Sequence, residues 1–424
     1  MDRRAATFTS THWGNYRLEA EANQLRSVQP DAADTNPSPI GQSLLDSQHK
    51  GVRVARPSVR RGYLDKQWKS GGAGRGVEPF VEVPWDEALD LAAQALAHTR
   101  DNYGNEGIFG GSYGWASAGR FHHTQSQLHR FLKQFGGYTG AVQSYSTGTA
   151  FVILPRILGI ESKPLMLESP TIEDVAKHTK LIVSFGGISM KNMQINQGGI
   201  GDHSARNQLQ HLRDAGVEVV CVSPVRDDVA DFLNADWWPI RPNADVALML
   251  GLAHTLHTEN LHDKAFLQSH CVGYDAFADY LTGATDGVPK DAAWAAALCD
   301  LDAASIAALA RRMARENCLL SISWSLQRTE HGDQPYWMIT TLAAMLGNIG
   351  APGQGVGYGY GCIHNYGFEG RYKLPFPVAA LPQGTNPVST FIPVARIADL
   401  LLNPGESFPF NGQTLTYPKI DLVY

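Results

Sequence analysis

The stretch GGSYGWASAGRFHH (110–123) sets Ser117 among glycines, small residues and two aromatics, Tyr113 and Trp115. A serine at a turn between a short apolar run and a helix can do three things. It can cap a helix starting near Gly119, act as the nucleophile of a strand–turn–helix elbow, or, deprotonated, offer a hard oxygen to a metal. The elbow needs G-x-S-x-G, and position 115 is tryptophan. Tyr113 and Trp115 alternate with Ser117; they either pack or, since so glycine-rich a loop offers few neighbours to pack against, line a cleft.

Other chemistry-bearing residues follow apolar runs. Lys191 comes just after VSFGG and Arg226 just after VCVSP, where a cation would meet a pyrophosphate. Asp245 opens ADVALML; it is either a carboxylate favoured by the helix dipole or an acceptor for a guanine edge. Glycine turns before helix starts bind phosphate groups, and several in one chain imply a large polyphosphorylated ligand or more than one. The histidines His122, His123 and His129 do not match H-E-x-x-H, so they predict no metal site.

The elements needed to position these residues are legible. A helix runs through WDEALDLAAQALAHTRDNY to Gly104, a short strand IFGG follows, and after the Ser117 turn HHTQSQLHRFLKQFGG reads as a helix with Leu128, Phe131, Leu132 and Phe135 on one face. The strand–helix pattern returns as 180–187 then 203–215, 217–226 then 244–260, and 317–328 then 334–350. Continuously apolar strands alternating with helices predict an α/β, multi-domain chain with parallel, doubly wound sheets, whose ligands sit at the carboxyl ends of the strands. The expected domains are an irregular N-terminal segment (1–62), part of a first α/β domain carrying the Ser117 loop (63–152), a second, nucleotide-binding α/β domain (153–365), and a segment returning to the first domains (366–424). The closing YPKIDLVY reads as a strand without its crossover helix, from which we expect the polypeptide to continue past residue 424.

Composition narrows the class. The 424 residues are 43% hydrophobic, enough for sizeable cores, and 35 basic against 41 acidic residues give −6 with no basic run, which argues against nucleic acid or an anionic membrane face. Five scattered cysteines, none in C-x-x-C, argue against a disulfide framework, a zinc ribbon or an iron–sulfur cluster. No run reaches the ~20 apolar residues of a membrane span. The opening MDRRAATFTSTHWG lacks the apolar core of an export leader, so the expected location is cytoplasmic, or periplasmic if a leader precedes this sequence.

SYGWASAGRFHHTQSQLHRFL, together with THWGNYRLE, PSPIGQSLLDS, RPSVRRGYL, VSFGGISMKNMQI, VSPVRDDVADF, ADVALMLGLAHTL and SWSLQRTEHGDQPYWMITTLAAMLGNIGAPGQGVGYGYG, resembles the dimethyl sulfoxide reductase family of molybdenum enzymes, especially its biotin sulfoxide and dimethyl sulfoxide reductase branches. The resemblance implies two molybdopterin guanine dinucleotides on one molybdenum, with Ser117 as the protein ligand. It implies reduction of S-oxides or N-oxides (biotin sulfoxide, methionine sulfoxide, dimethyl sulfoxide or trimethylamine N-oxide) by oxygen-atom transfer to Mo(IV), with Tyr113 and Trp115 facing the oxygen in transit.

It places Trp115, Lys191, Gln194, Ser223, Arg226, Asp245, Trp324 and Arg328 on the cofactor. With no clustered cysteines for an iron–sulfur centre, the electrons are expected from a separate haem or flavin donor. Two departures accompany the resemblance: serine stands at 223 where relatives often have aspartate, and relatives are roughly twice as long. The alternative is a truncated nucleotide- or cofactor-binding fragment without catalysis.

Overall fold

The computed structural model describes residues 7–22, 24–48, 51, 53–112, 114–115, 119–161, 165, 169–364 and 380–424. Tyr113 and Ser117 lie outside the described residues.

At the centre is a five-stranded, all-parallel sheet in the spatial order Asp236–Trp238, Glu218–Val222, Leu181–Phe185, Cys318–Ile322, Gly355–Tyr358. Runs such as LIVSF, EVVCV and CLLSI are apolar on both sides of the pleat, and only a sheet covered on both faces hides them. On one face Ile182, Val219, Cys221 and Leu319 meet Val175 of the helix Ile172–His178 and Leu209 and Leu212 of the helix Ala205–Asp214. On the other, Leu181, Val183, Val220 and Leu320 meet the helices Asp245–Thr258, Ala303–Arg315 and Gln334–Met345. Asp245–Thr258 has almost no polar face because it is enclosed: Leu248, Met249, Leu252 and Leu256 are all fully buried. Burial contributes about 1.5–3 kcal/mol for each such side chain.

The strand order identifies where a ligand fits. The chain starts at Leu181–Phe185, moves outward through Glu218–Val222 and Asp236–Trp238, and then crosses to the other side for Cys318–Ile322 and Gly355–Tyr358. The reversal falls between Leu181–Phe185 and Cys318–Ile322, the place where open sheets of this kind bind their ligands.

The N-terminal segment corrects the expectation of irregular chain. Thr7–Thr11, Gly14–Glu21 and Gln24–Pro30 form an antiparallel meander. It buries little: Tyr16 and Val28 are its core side chains and Phe8 stands exposed, which is why the sequence carries a weak strand signal.

The first α/β region is completed from the far end of the sequence. Leu422–Val423 pairs in parallel with Ile108–Phe109, and Phe391–Pro393 with Gly140–Val142. Leu96 of the helix Trp85–Tyr103 packs with Ile108, Tyr138 and Leu132 of the helix Thr124–Gln134. Leu128 and Phe135 lie against that cluster as the spacing predicts, but Phe131 is exposed and stacks on Phe135 and Tyr424 instead. The helix begins at Thr124 rather than near Gly119, after a single 3-10 turn at Arg120–His122.

Candidate functional site at the carboxyl edge of the sheet

Because all five strands run the same way, the loops after them emerge on one edge. The sequence-predicted residues Lys191 and Gln194 follow Leu181–Phe185, Ser223 and Arg226 follow Glu218–Val222, Asp245 follows Asp236–Trp238, and Trp324 and Arg328 follow Cys318–Ile322. The topology therefore brings all of them to this edge.

The first two loops are fastened together. Ile188 and Val229 form a parallel bridge that prolongs the sheet pairing, and Gly187 (φ +79) lies so close to Asp228 that a Cβ would overlap its backbone. Ser223, 1% exposed, donates from Oγ to Asp228 Oδ2 at 2.6 Å. Lys191 Nζ stands 3.0 Å from Asp228 Oδ1 and 3.7 Å from Asp227, and its hydrogen bond to Asp228 holds the ammonium above its ordinary value. Arg226 reaches Asp231 at 3.2 Å. Both cations anticipated for a pyrophosphate thus have carboxylate partners, Arg226 on its own loop and Lys191 on the neighbouring one.

The third loop is a half-buried turn around an indole. Trp324 begins a 3-10 turn whose backbone N–H donates to Cys362 Sγ at 3.1 Å, while its Nε1–H is buried with no acceptor among the described residues. Gly359 (φ +84), one residue past Gly355–Tyr358, makes room for that indole; a Cβ there would overlap Nε1. Burial pushes the Cys362 thiol up, which keeps it protonated beside the turn. Arg328 and Gln327 both donate to the carbonyl of Ser146, at 3.3 and 3.1 Å, and Gln327 Oε1 accepts from Ala150 N–H. They pin the start of the helix Gly148–Leu158 to this loop.

Asp245 is half-buried at the first turn of its helix, and burial pushes its carboxyl up to about 6. A hydrogen bond from its own backbone N–H opposes that shift in part.

Trp115 is tied to this edge through the N-terminal segment. Its ring meets His12 edge-on at 5.5 Å, and the carbonyl of His12 accepts from Asn196 N–H at 2.9 Å, two residues past Gln194. Ser38 Oγ donates to Gln194 Oε1 at 2.9 Å. Beneath it, His203 and Asp34, both 3% exposed, form a buried pair at 2.6 Å. Sequence reading missed Asp34, His203, Asp228, Gln327 and Cys362. The segments carrying Asp34 and His203 are far apart in sequence, and Asp228 sits in an acidic run that resembles a solvated surface. Gln327, between Trp324 and Arg328, was the one within reach of the motif.

Comparison with known proteins gives an independent view. Residues 53–415 match the family described as molybdopterin oxidoreductase, and residues 9–49 match the molybdopterin oxidoreductase N-terminal domain. The chain is 43% identical to the biotin sulfoxide reductase of Cereibacter sphaeroides over 94% of its own length and 53% of that protein. It is 41% identical to the dimethyl sulfoxide/trimethylamine N-oxide reductase of the same organism, over 97% and 51%, and 36% identical to the trimethylamine-N-oxide reductase of Haemophilus influenzae, over 98% and 51%. The chain spans about half the length of these relatives.

Proposed function

The chain belongs to the molybdopterin oxidoreductase family, and from that premise we propose that it forms the cofactor-binding part of a molybdenum-dependent reductase of S-oxides or N-oxides. The observation that carries this reading is the indole beside the strand reversal, where Trp324 Nε1–H is a buried donor without a described partner and Gly359 admits its ring. A donor of this kind fits a ligand rich in acceptors, as a pterin dinucleotide is. The same holds for Asp245: its raised carboxyl would be offset by two N–H donors from a guanine edge, which supports the guanine dinucleotide form.

When bound, the molybdenum supplies the two-electron chemistry and the oxygen acceptor that side chains lack. This chain's residues hold and surround it. Ser117 would provide the alkoxide ligand. Trp324 would donate from its indole, Ser223, Arg226 and Asp245 would bind the nucleoside portion, and Lys191 and Gln194 would line the loop against a pterin. Arg328 and Gln327 would hold the loop bearing Trp324 against residues 146–150. Trp115 and Tyr113 would exclude water and orient the substrate oxide for hydrogen bonding.

The reading includes a separate haem or flavin electron donor, no iron–sulfur cluster, a cytoplasmic location, and the four domains bounded at residues 62, 152 and 365. Oxide reduction by the full polypeptide, produced in cells that assemble the cofactor, is the test. Ser117→Ala should abolish turnover with biotin sulfoxide, dimethyl sulfoxide and trimethylamine N-oxide while leaving the circular dichroism unchanged; undiminished turnover rejects the assignment. Metal analysis and guanine nucleotide extraction of the same preparation separate this reading from a fragment without catalysis.

A further inference from the structure

We infer that Asp228 is the acceptor for a ribose cis-diol at this edge of the sheet, an inference that rests on the nucleotide reading above. In an open parallel sheet a dinucleotide lies across the strand ends at the order reversal, and an acidic side chain at the end of the neighbouring strand takes the ribose hydroxyls. Here the opening strand is Leu181–Phe185 and its neighbour across the first crossover helix is Glu218–Val222. The residue at that neighbour's end is Ser223, which has no carboxylate to offer.

Its hydroxyl is already committed. Ser223 Oγ donates to Asp228 Oδ2 at 2.6 Å and accepts from Val225 N–H at 3.3 Å. The serine therefore draws a carboxylate from five residues downstream to the strand end. The bridge between Ile188 and Val229 and the close approach of Gly187 hold Asp228 there. A carboxylate has about four acceptor sites. Ser223 uses one on Oδ2 and Lys191 one on Oδ1, leaving each oxygen able to accept one more O–H donor. The side chain of Asp228 is 20% exposed, whereas that of Asp227 is 86% exposed and solvated. A pair of vicinal hydroxyls matches the two remaining sites; a deoxyribose matches at most one.

The test is calorimetric binding of GDP and 2′,3′-dideoxy-GDP to the full chain. The wild type should bind GDP about tenfold more tightly than the dideoxy form. Asp228→Asn should remove most of that preference with little change in affinity for the dideoxy nucleotide, and Asp228→Glu should restore part of it. A wild type that binds both equally, or an Asp228→Asn variant that keeps the preference, overturns the inference and leaves the nucleotide site standing. Failure of the wild type to bind either overturns both.

Discussion

The imidazole of His203 lies between two acceptors, the carboxylate of Asp34 at 2.6 Å from Nδ1 and the carbonyl of Gln194 at 2.9 Å from Nε2. The second carboxylate oxygen of Asp34 accepts from the backbone N–H of His203 at 3.0 Å, so the pair has little unused capacity. It fastens the N-terminal segment to the Gln194 loop.

Removing one partner should therefore cost far more than a surface ion pair would. We expect His203→Ala or Asp34→Ala to lower the unfolding free energy by about 3–5 kcal/mol, because each strands a buried group. The double variant should cost little more than either single one. Urea titration of the four chains checks this, and additive losses would show that the two residues act independently.

The pH dependence of stability should hide two opposed contributions. Burial raises Asp245 from 3.8 to about 6, so its share of stability is present below pH 4 and lost as pH rises through 6. Burial lowers His364 from 6.5 to about 4, so its share is present above pH 6.5 and lost as pH falls through 4. Asp245→Asn should stabilise the ligand-free chain at pH 7 by about 1–3 kcal/mol, with stability then rising between pH 4 and 6.5. His364→Gln should leave the reverse slope. Denaturant unfolding at pH 4.5, 5.5 and 7 reads both.

Gly359→Ala should displace the indole of Trp324. A left-handed backbone costs a non-glycine residue about 1–3 kcal/mol, and the new methyl would overlap Nε1. Lower thermal stability together with red-shifted tryptophan emission is the expected outcome; unchanged emission would place the indole elsewhere.

Ser184 and Ser321 are paired in register on adjacent central strands, and neither buried hydroxyl has a partner among the described residues. Ser321→Ala should be neutral or stabilising by about 1 kcal/mol, since an orphaned hydroxyl costs more than a methyl in its place. A comparable loss of stability would reveal a bridging water.

Three strands of the central sheet, Leu181–Phe185, Glu218–Val222 and Cys318–Ile322, were legible because they are apolar on both faces; the short edge strands Asp236–Trp238 and Gly355–Tyr358, the latter glycine-rich, were not. The meander was not: with Tyr16 and Val28 as its core, its alternation is too faint to distinguish from coil. Site residues on strand ends followed from the fold. Asp34 with His203, and Asp228 with Ser223, depended on how loops fold back on one another, and spacing does not encode that. Phe131 was misjudged because its neighbour is Tyr424, at the far end of the chain.

The parallel pairing of Leu422–Val423 with Ile108–Phe109 bears on how the molecule is made. Thr99 Oγ1, on the helix before Ile108, donates to Asp421 at 2.7 Å across a separation of 322 residues. During synthesis on the ribosome, the strand leading into the Ser117 loop emerges long before its partner and waits unpaired for it. Closing so long a loop is slow, so this pairing sets after the local contacts of the helices beside it.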